Sequence, residues 1–272
     1  MPGKNASHIF FALTILAIGV IGLAKGGFAP IWGVVPKSFP DRQLLAYLCT
    51  FVSLACGAAL LVRRTAAPAA LVLLIYLIVF TAFFKVPFIV RQPLVEGSYQ
   101  TCGENAVLIA GAWALYVSLA AGAKRWNVGF LSGDAGLRIA HILYGLALIA
   151  FGLSHFAYLE LTAPLVPSWL PGAVFWAYFT GVVYIVTGIA IVIGVAASLA
   201  AAVSALQIAL ITVLVWGPIA IAGNMSELHW QETVVSWALT AAAWVVAESY
   251  EGHRWLRRLG FGAFAARRLA RG

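Results

Sequence analysis

Apolar residues run through this chain in long blocks, interrupted by short clusters of proline, glycine and charge, and the blocks set the elements it predicts. About 20 apolar residues suffice for a helix to cross a bilayer. Windows of that kind fall near residues 7–24, 43–62, 67–88, 104–122, 138–156, 173–194, 199–221 and 231–248. Between Leu161 and Ser226 there is no Asp, Glu, Lys or Arg, so that stretch alone must cross twice. A membrane barrel would alternate apolar and polar positions over roughly ten residues, whereas these blocks are continuous, which favours helices. The fold class expected is therefore all-α and integral to the membrane, with eight transmembrane helices. Lys4 ahead of the first block gives it the look of a signal peptide. The block runs on to Ala24 with no clear small-residue cleavage site, so it is kept as the first span.

The pattern is written twice. Sliding the chain by about 130 residues places GLAK (22–25) on GLSH (152–155). After one inserted residue, the segment from Val35 falls on that from Val166, matching Pro36 with Pro167, Pro40 with Pro171, Tyr47 with Tyr178 and Gly57 with Gly188. Farther on, Pro87 meets Pro218 and, across a shorter loop, Glu104 meets Glu232. Each copy would hold four spans, an even number, so the repeats run parallel about an axis along the membrane normal, as two four-helix bundles side by side. The divisions expected are a first repeat over 1–125, a second over 126–248 and a basic tail over 249–272.

Composition agrees: 63% of the 272 residues are hydrophobic, 10% are charged and mean hydropathy is +0.97, outside the range of a soluble domain. The net charge of +8 raises nucleic acid as a partner, but no recognition module accompanies it, and the reading is no nucleic acid. Sorted by side, Lys4, Arg63, Arg64, Lys124, Arg125, Arg138 and six tail arginines make twelve basic residues on one side. Lys25, Lys37, Arg42, Lys85 and Arg91 make five on the other. The positive-inside rule then places both termini in the cytoplasm and the protein in the plasma (inner) membrane. The tail mixes arginines with Trp255, Leu256 and Phe261, which suits an interfacial segment on anionic lipid. Cys49 and Cys56 lie seven apart on one helix, too far to bridge, and Cys102 is a lone thiol.

The duplication sorts the polar residues. Lys25 and His155 are equivalent at the outer end of the first helix of each copy, and Glu104 and Glu232 at the outer start of the fourth. Ionisable groups at membrane depth mark candidate sites, so His155 with Glu232 is taken as the candidate catalytic pair. Lys25 with Glu104 is its counterpart. Tyr158, Trp169 and Trp176 crowd the same side and suit a flat apolar ring, although tryptophan also gathers at any membrane interface. His141 and His155, fourteen apart on one helix face, have the spacing for two haems with His8 and His229 as further ligands, a reading held to be unlike the rest of the pattern. No metal motif is present.

Through GLAK and GLSHF, VPSWLPG, FWAYFTG and the glycine at 188, the chain resembles the DoxX-like membrane protein family. The family's unit is a four-helix bundle with Gly-x-x-Lys or Gly-x-x-His at the end of its first helix. The resemblance covers roughly residues 10–122 and 138–247, a tandem of the unit. It departs from the family at Ser53 and Tyr184, where many members carry glutamate, and at Gly194 and Val195, where an arginine pair would fall. The resemblance implies a link to quinone-dependent redox complexes. His155 would then face a quinone carbonyl, Glu232 would relay the proton, and Tyr158, Trp169, Trp176, Lys25 and Glu104 would border an outer-side pocket. It implies no haem. A soluble or membrane redox partner would supply electrons. A non-catalytic anchor or partner-binding subunit, and a transporter of small hydrophobic molecules, stay open beside it; for transport, Gln207 is the most polar mid-depth residue.

Overall fold

The computed structural model describes residues 6–32, 34–121, 126, 128–223 and 225–250. The basic tail, from Glu251 onward, lies outside the described residues, as do Lys4, Lys124 and Arg125. The described residues are helical throughout their long elements, with no strand among them. In chain order the helices are α1 Ala6–Lys25, α2 Arg42–Leu60, α3 Ala66–Arg91, α4 Glu96–Ala120, α5 Gly133–Ala157, α6 Ala173–Ile193, α7 Ala197–Ile221 and α8 Glu227–Ser249. Seven of them, α1 to α7, are long and apolar enough to cross a membrane, which makes this a multi-pass membrane protein by length and composition. The eighth, α8, is 23 residues long but carries Glu227, Glu232 and Glu248, and does not reach the same apolarity.

Consecutive helices pack on one another from α1 round to α8, and α8 closes the ring against α1. Across the middle, α4 packs on α8. The first helix of each half thus has the fourth helix of the other half as a main neighbour, α1 against α8 and α5 against α4, rather than two bundles each closed on itself. The central place of α4 follows from its sequence, which is apolar or small on every face: every residue from Asn105 to Val117 is buried. Gly111 lets it approach α8, since a Cβ there would lie 2.8 Å from Cα of Ala242.

Small residues also set the α1–α2 and α5–α6 seams. A Cβ on Gly57 would fall 2.5 Å from the Leu16 backbone nitrogen, and one on Gly188 would fall 2.6 Å from the Gly145 carbonyl oxygen. Gly57 and Gly188, which a 131-residue offset aligns, are therefore each a point of close helix crossing, the contact that holds helices together where lipid removes the hydrophobic drive.

Element ends follow local chemistry. Ser226 caps α8, its hydroxyl accepting from the His229 amide at 3.1 Å. Gly194 ends α6 at φ 78°, with the Val195 amide donating back to the Ala190 carbonyl at 2.9 Å, the reversal that glycine makes without steric cost. Gly194→Ala, where a Cβ would meet nothing but must adopt positive φ, is expected to lower stability by about 1 kcal/mol in detergent unfolding.

Two helices are broken in the same place. α3 widens to a π-helical turn over Thr81–Lys85, and α7 does so over Thr212–Trp216, 131 residues later. Each turn is followed by proline, Pro87 or Pro218, whose missing N–H and ring clash disturb the preceding ladder. Each begins with a threonine that donates back to a carbonyl, Thr81 to Leu77 at 2.7 Å and Thr212 to Ile208 at 2.9 Å. The neighbouring helix then adds polar contacts: Asn105 donates to Thr81 Oγ1 at 3.0 Å, and Ser236 and Thr240 meet Thr212 at 2.7 and 2.8 Å. π-turns of this kind gather at functional sites.

Candidate functional site

The turn in α3 ends on Lys85, which is 2% exposed although the hydropathy pattern counts it among the charges of one membrane face. Its Nζ donates to Glu104 Oε2 of α4 at 3.3 Å, and the Glu104 side chain is 18% exposed. Burying two charges carries a desolvation cost that close pairing must offset. From α8, the half-buried Glu232 lies within electrostatic range of both Glu104 and Lys85, and Cys102 is within range of the same lysine. Three helices therefore bring two part-buried carboxylates and one buried ammonium within electrostatic range of one another. A single ammonium balances one carboxylate, so with all three ionised the group carries one net negative formal charge.

Of the residues singled out by sequence, Glu104 pairs here with a lysine that the motif reading passed over, and Glu232 lies within electrostatic range of both. Lys25 does not join them: it is exposed at the end of α1, and Glu104 pairs with Lys85 instead. His155 lies elsewhere. It is half-buried on α5 and faces α6, with its ring 5.9 Å from that of Tyr184. A Cβ on Gly181 would come 2.9 Å from the His155 Cβ, so this histidine occupies the space that Gly181 leaves. The backbone of Ala177 is within its hydrogen-bonding range, while its Nδ1 is enclosed without a partner. Among the described residues no hydrogen bond or ion pair links His155 to Glu232.

The residues around His155 tie helices together. Ser154 donates to Glu96 Oε1 at 2.6 Å, and the Gly97 amide donates to the Tyr158 hydroxyl at 3.0 Å, so α5 is stapled to the start of α4. Trp176 donates to the Pro171 carbonyl at 3.0 Å, and Trp169 is 66% exposed, which fits an interface residue better than a pocket wall. Gln207 donates to the Thr180 carbonyl at 3.0 Å, and Tyr144 and Ser204 share a hydrogen bond of 3.0 Å. Two of the histidines weighed for haem, His141 and His8, are likewise engaged. His141 Nε2 meets Ser249 Oγ at 2.8 Å and its ring stacks on Tyr250 at 3.9 Å, while His8 Nε2 meets the Leu60 carbonyl oxygen at 2.9 Å.

The buried lysine was within reach of sequence reasoning. Lys85 follows twenty residues free of charge and stands two before a proline, a position where a helix interior must give way. Asn105 carried no such mark, because its role depends on which helix faces Thr81.

Fold and site together define a helical, multi-pass membrane protein with a buried lysine paired to a glutamate between α3 and α4 and a second, half-buried carboxylate on α8 within electrostatic range. No family model, curated protein or solved structure matches this chain.

Proposed function

We propose that the chain is a plasma-membrane protein of DoxX-like type that acts as an accessory or membrane subunit in quinone-linked redox chemistry, handling protons at Lys85, Glu104 and Glu232. In this reading α8 is an eighth span, the eight helices form two parallel four-helix repeats, and both termini are cytoplasmic. The apolar stretch of α8 packed between α4 and α7 supports the extra span. The excess of basic residues on one side supports the orientation. The observation that carries the functional reading is the buried Lys85–Glu104 pair with Glu232 beside it. A quinone that takes two electrons from a partner also takes two protons, and a carboxylate left without its own counter-ion can hold and pass one.

Extraction of the protein purified in mild detergent is expected to recover quinone, or the protein to bind added decylubiquinone. Protein that does neither sinks the reading. Calorimetry in buffers of different ionisation enthalpy should show proton exchange on quinone binding, and Glu104→Gln with Glu232→Gln should remove it. Exchange unchanged in that double variant would place the proton site elsewhere.

The matched π-turns of α3 and α7 favour one second reading, a transporter of small hydrophobic molecules. Parallel repeats with helices broken at corresponding depth are a device for alternating access. Tracer uptake into proteoliposomes, with Asn105→Leu and Thr212→Val as variants, distinguishes it from the redox reading.

A further inference from the structure

The second half of the molecule holds a string of hydroxyl and imidazole groups in its interior for which the Lys85 pair gives no account. Three of them, His141, Tyr144 and His155, share one face of α5, and fourteen residues separate the two histidines, about 21 Å of rise against a hydrocarbon thickness of roughly 30 Å. At one end stands the half-buried His155, its ring 5.9 Å from that of Tyr184 on α6. Tyr184, 5% exposed, is within hydrogen-bonding range of the Gln207 side chain on α7 and within electrostatic range of Tyr144. One turn before Gln207, Ser204 takes up the string: its hydroxyl donates to the Ala201 carbonyl at 3.0 Å, and so accepts from the Tyr144 hydroxyl, also at 3.0 Å. Both residues are fully buried. One turn before Tyr144 comes His141, whose ring stacks on Tyr250 at 3.9 Å, and Tyr250 is within electrostatic range of Tyr144. At the far end the half-buried Ser249 donates to the Val246 carbonyl at 2.6 Å and accepts from His141 Nε2 at 2.8 Å.

The string has an unfilled polar atom near either end. The Ala177 backbone is within hydrogen-bonding range of His155, but Nδ1 of that ring is enclosed without a partner, and so is the Tyr250 hydroxyl. Packing explains none of these groups, since phenylalanine or leucine would fill the same space without the cost of burying polar atoms. The positions that the sequence offset aligns with Tyr144 and Tyr184 hold Thr14 and Ser53, and each of these donates to a carbonyl of its own helix at 2.8 Å. His141, Ser204 and Tyr250 align with Phe11, Leu73 and Leu119. The polar groups of the second half thus reach from helix to helix, where their counterparts are apolar or satisfied within one helix. Chains of ionisable groups inside a membrane protein are the material of proton relays.

We propose that this string conducts protons across the membrane, between His155 at one end and His141 with Ser249 at the other. Each hydroxyl takes a proton on a lone pair and releases its own to the next group, and each imidazole takes one on one nitrogen and releases one from the other. Nothing is oxidised or reduced, and one proton leaves for each that enters. Side-chain rotation makes the step from Tyr184 and Gln207 to Ser204 and Tyr144, one turn of α7. The path is separate from Lys85, Glu104 and Glu232 and needs no quinone.

The test is proton flux into potassium-loaded vesicles of phosphatidylcholine and phosphatidylglycerol that hold the full chain, read by a trapped pH dye after valinomycin sets a diffusion potential. Vesicles with wild-type protein should acidify faster than protein-free vesicles. Tyr144→Phe and Tyr184→Phe, which keep the rings and remove one link each, should slow the flux about tenfold. Tyr47→Phe, at a position 50% exposed on α2, should conduct as wild type. Wild-type flux no faster than that of protein-free vesicles overturns the proposal, and so does undiminished flux in both phenylalanine variants. Should the variants fail to fold, wild-type vesicles in heavy water decide instead: a relay through hydroxyls slows there, and an unchanged rate overturns it. None of these failures touches the quinone reading, which stands or falls on extraction and binding.

Discussion

Lys85→Met is expected to destabilise the protein by about 3–5 kcal/mol, because it leaves Glu104 in the interior without its counter-ion. Glu232, already within electrostatic range, then adds repulsion between two carboxylates. The loss should come from the orphaned charge rather than from the missing contact. Lys85→Met combined with Glu104→Met should therefore regain most of it, since well-packed apolar residues often replace a buried ion pair without cost. Thermal unfolding of the detergent-solubilised single and double variants, compared as a cycle, measures this. A single variant as stable as wild type would show that Lys85 carries no charge at that site. A double variant no better than the single would show that the lysine's methylene packing, and not its charge, holds the three helices.

The same residue shows what a sequence can and cannot disclose here. Hydropathy places the helices well where they face lipid: 67–88 is expected and Ala66–Arg91 is found, 173–194 is expected and Ala173–Ile193 is found. It falls short where polar residues are satisfied by neighbouring helices. α4 begins at Glu96, not near 104, because Ser98 is buried and Glu96 accepts from Ser154 of α5. α8 likewise runs from Glu227 to Ser249, and its end charge Glu248 accepts from Ser7 of α1 at 2.6 Å. Averaging over a window treats such groups as exposed to water, and only the packing shows that they are not. Lys85 illustrates the stronger form of this. The charge-free run before it and the proline after it mark Lys85 as unusual, but only the widened turn and Glu104 seen together show where its charge goes.

The candidate site was legible in kind but not in arrangement. The 130-residue sequence offset singles out Glu104 and Glu232, and these lie within electrostatic range of one another through the α4–α8 contact at the centre of the molecule, rather than each beside the base the offset assigns to it. An offset says which positions correspond, and leaves open which helices touch. His155 was singled out by the same logic, and its neighbours are on α6, where Gly181 opens the space it fills.

Gly188→Leu is expected to cost about 1–3 kcal/mol or more, because its Cβ would sit 2.6 Å from the Gly145 carbonyl oxygen and 3.1 Å from the Ile149 backbone nitrogen. Backbone atoms cannot swing aside as a side chain would, so α5 and α6 must separate along the seam. In a bilayer that separation gains no compensating solvation, since close van der Waals contact between small residues is what joins such helices. Ile189→Leu, at the next position and 45% exposed, should stay within about 0.5 kcal/mol of wild type. Gly57→Leu should repeat the effect at the α1–α2 seam, where the Cβ would meet the Leu16 backbone nitrogen at 2.5 Å. Because the two seams are distant, their losses should add in the double variant. Equal, additive losses would mean that both seams keep one crossing geometry built on the aligned glycines. A loss at one seam alone would mean that the two seams differ in packing although their glycines align.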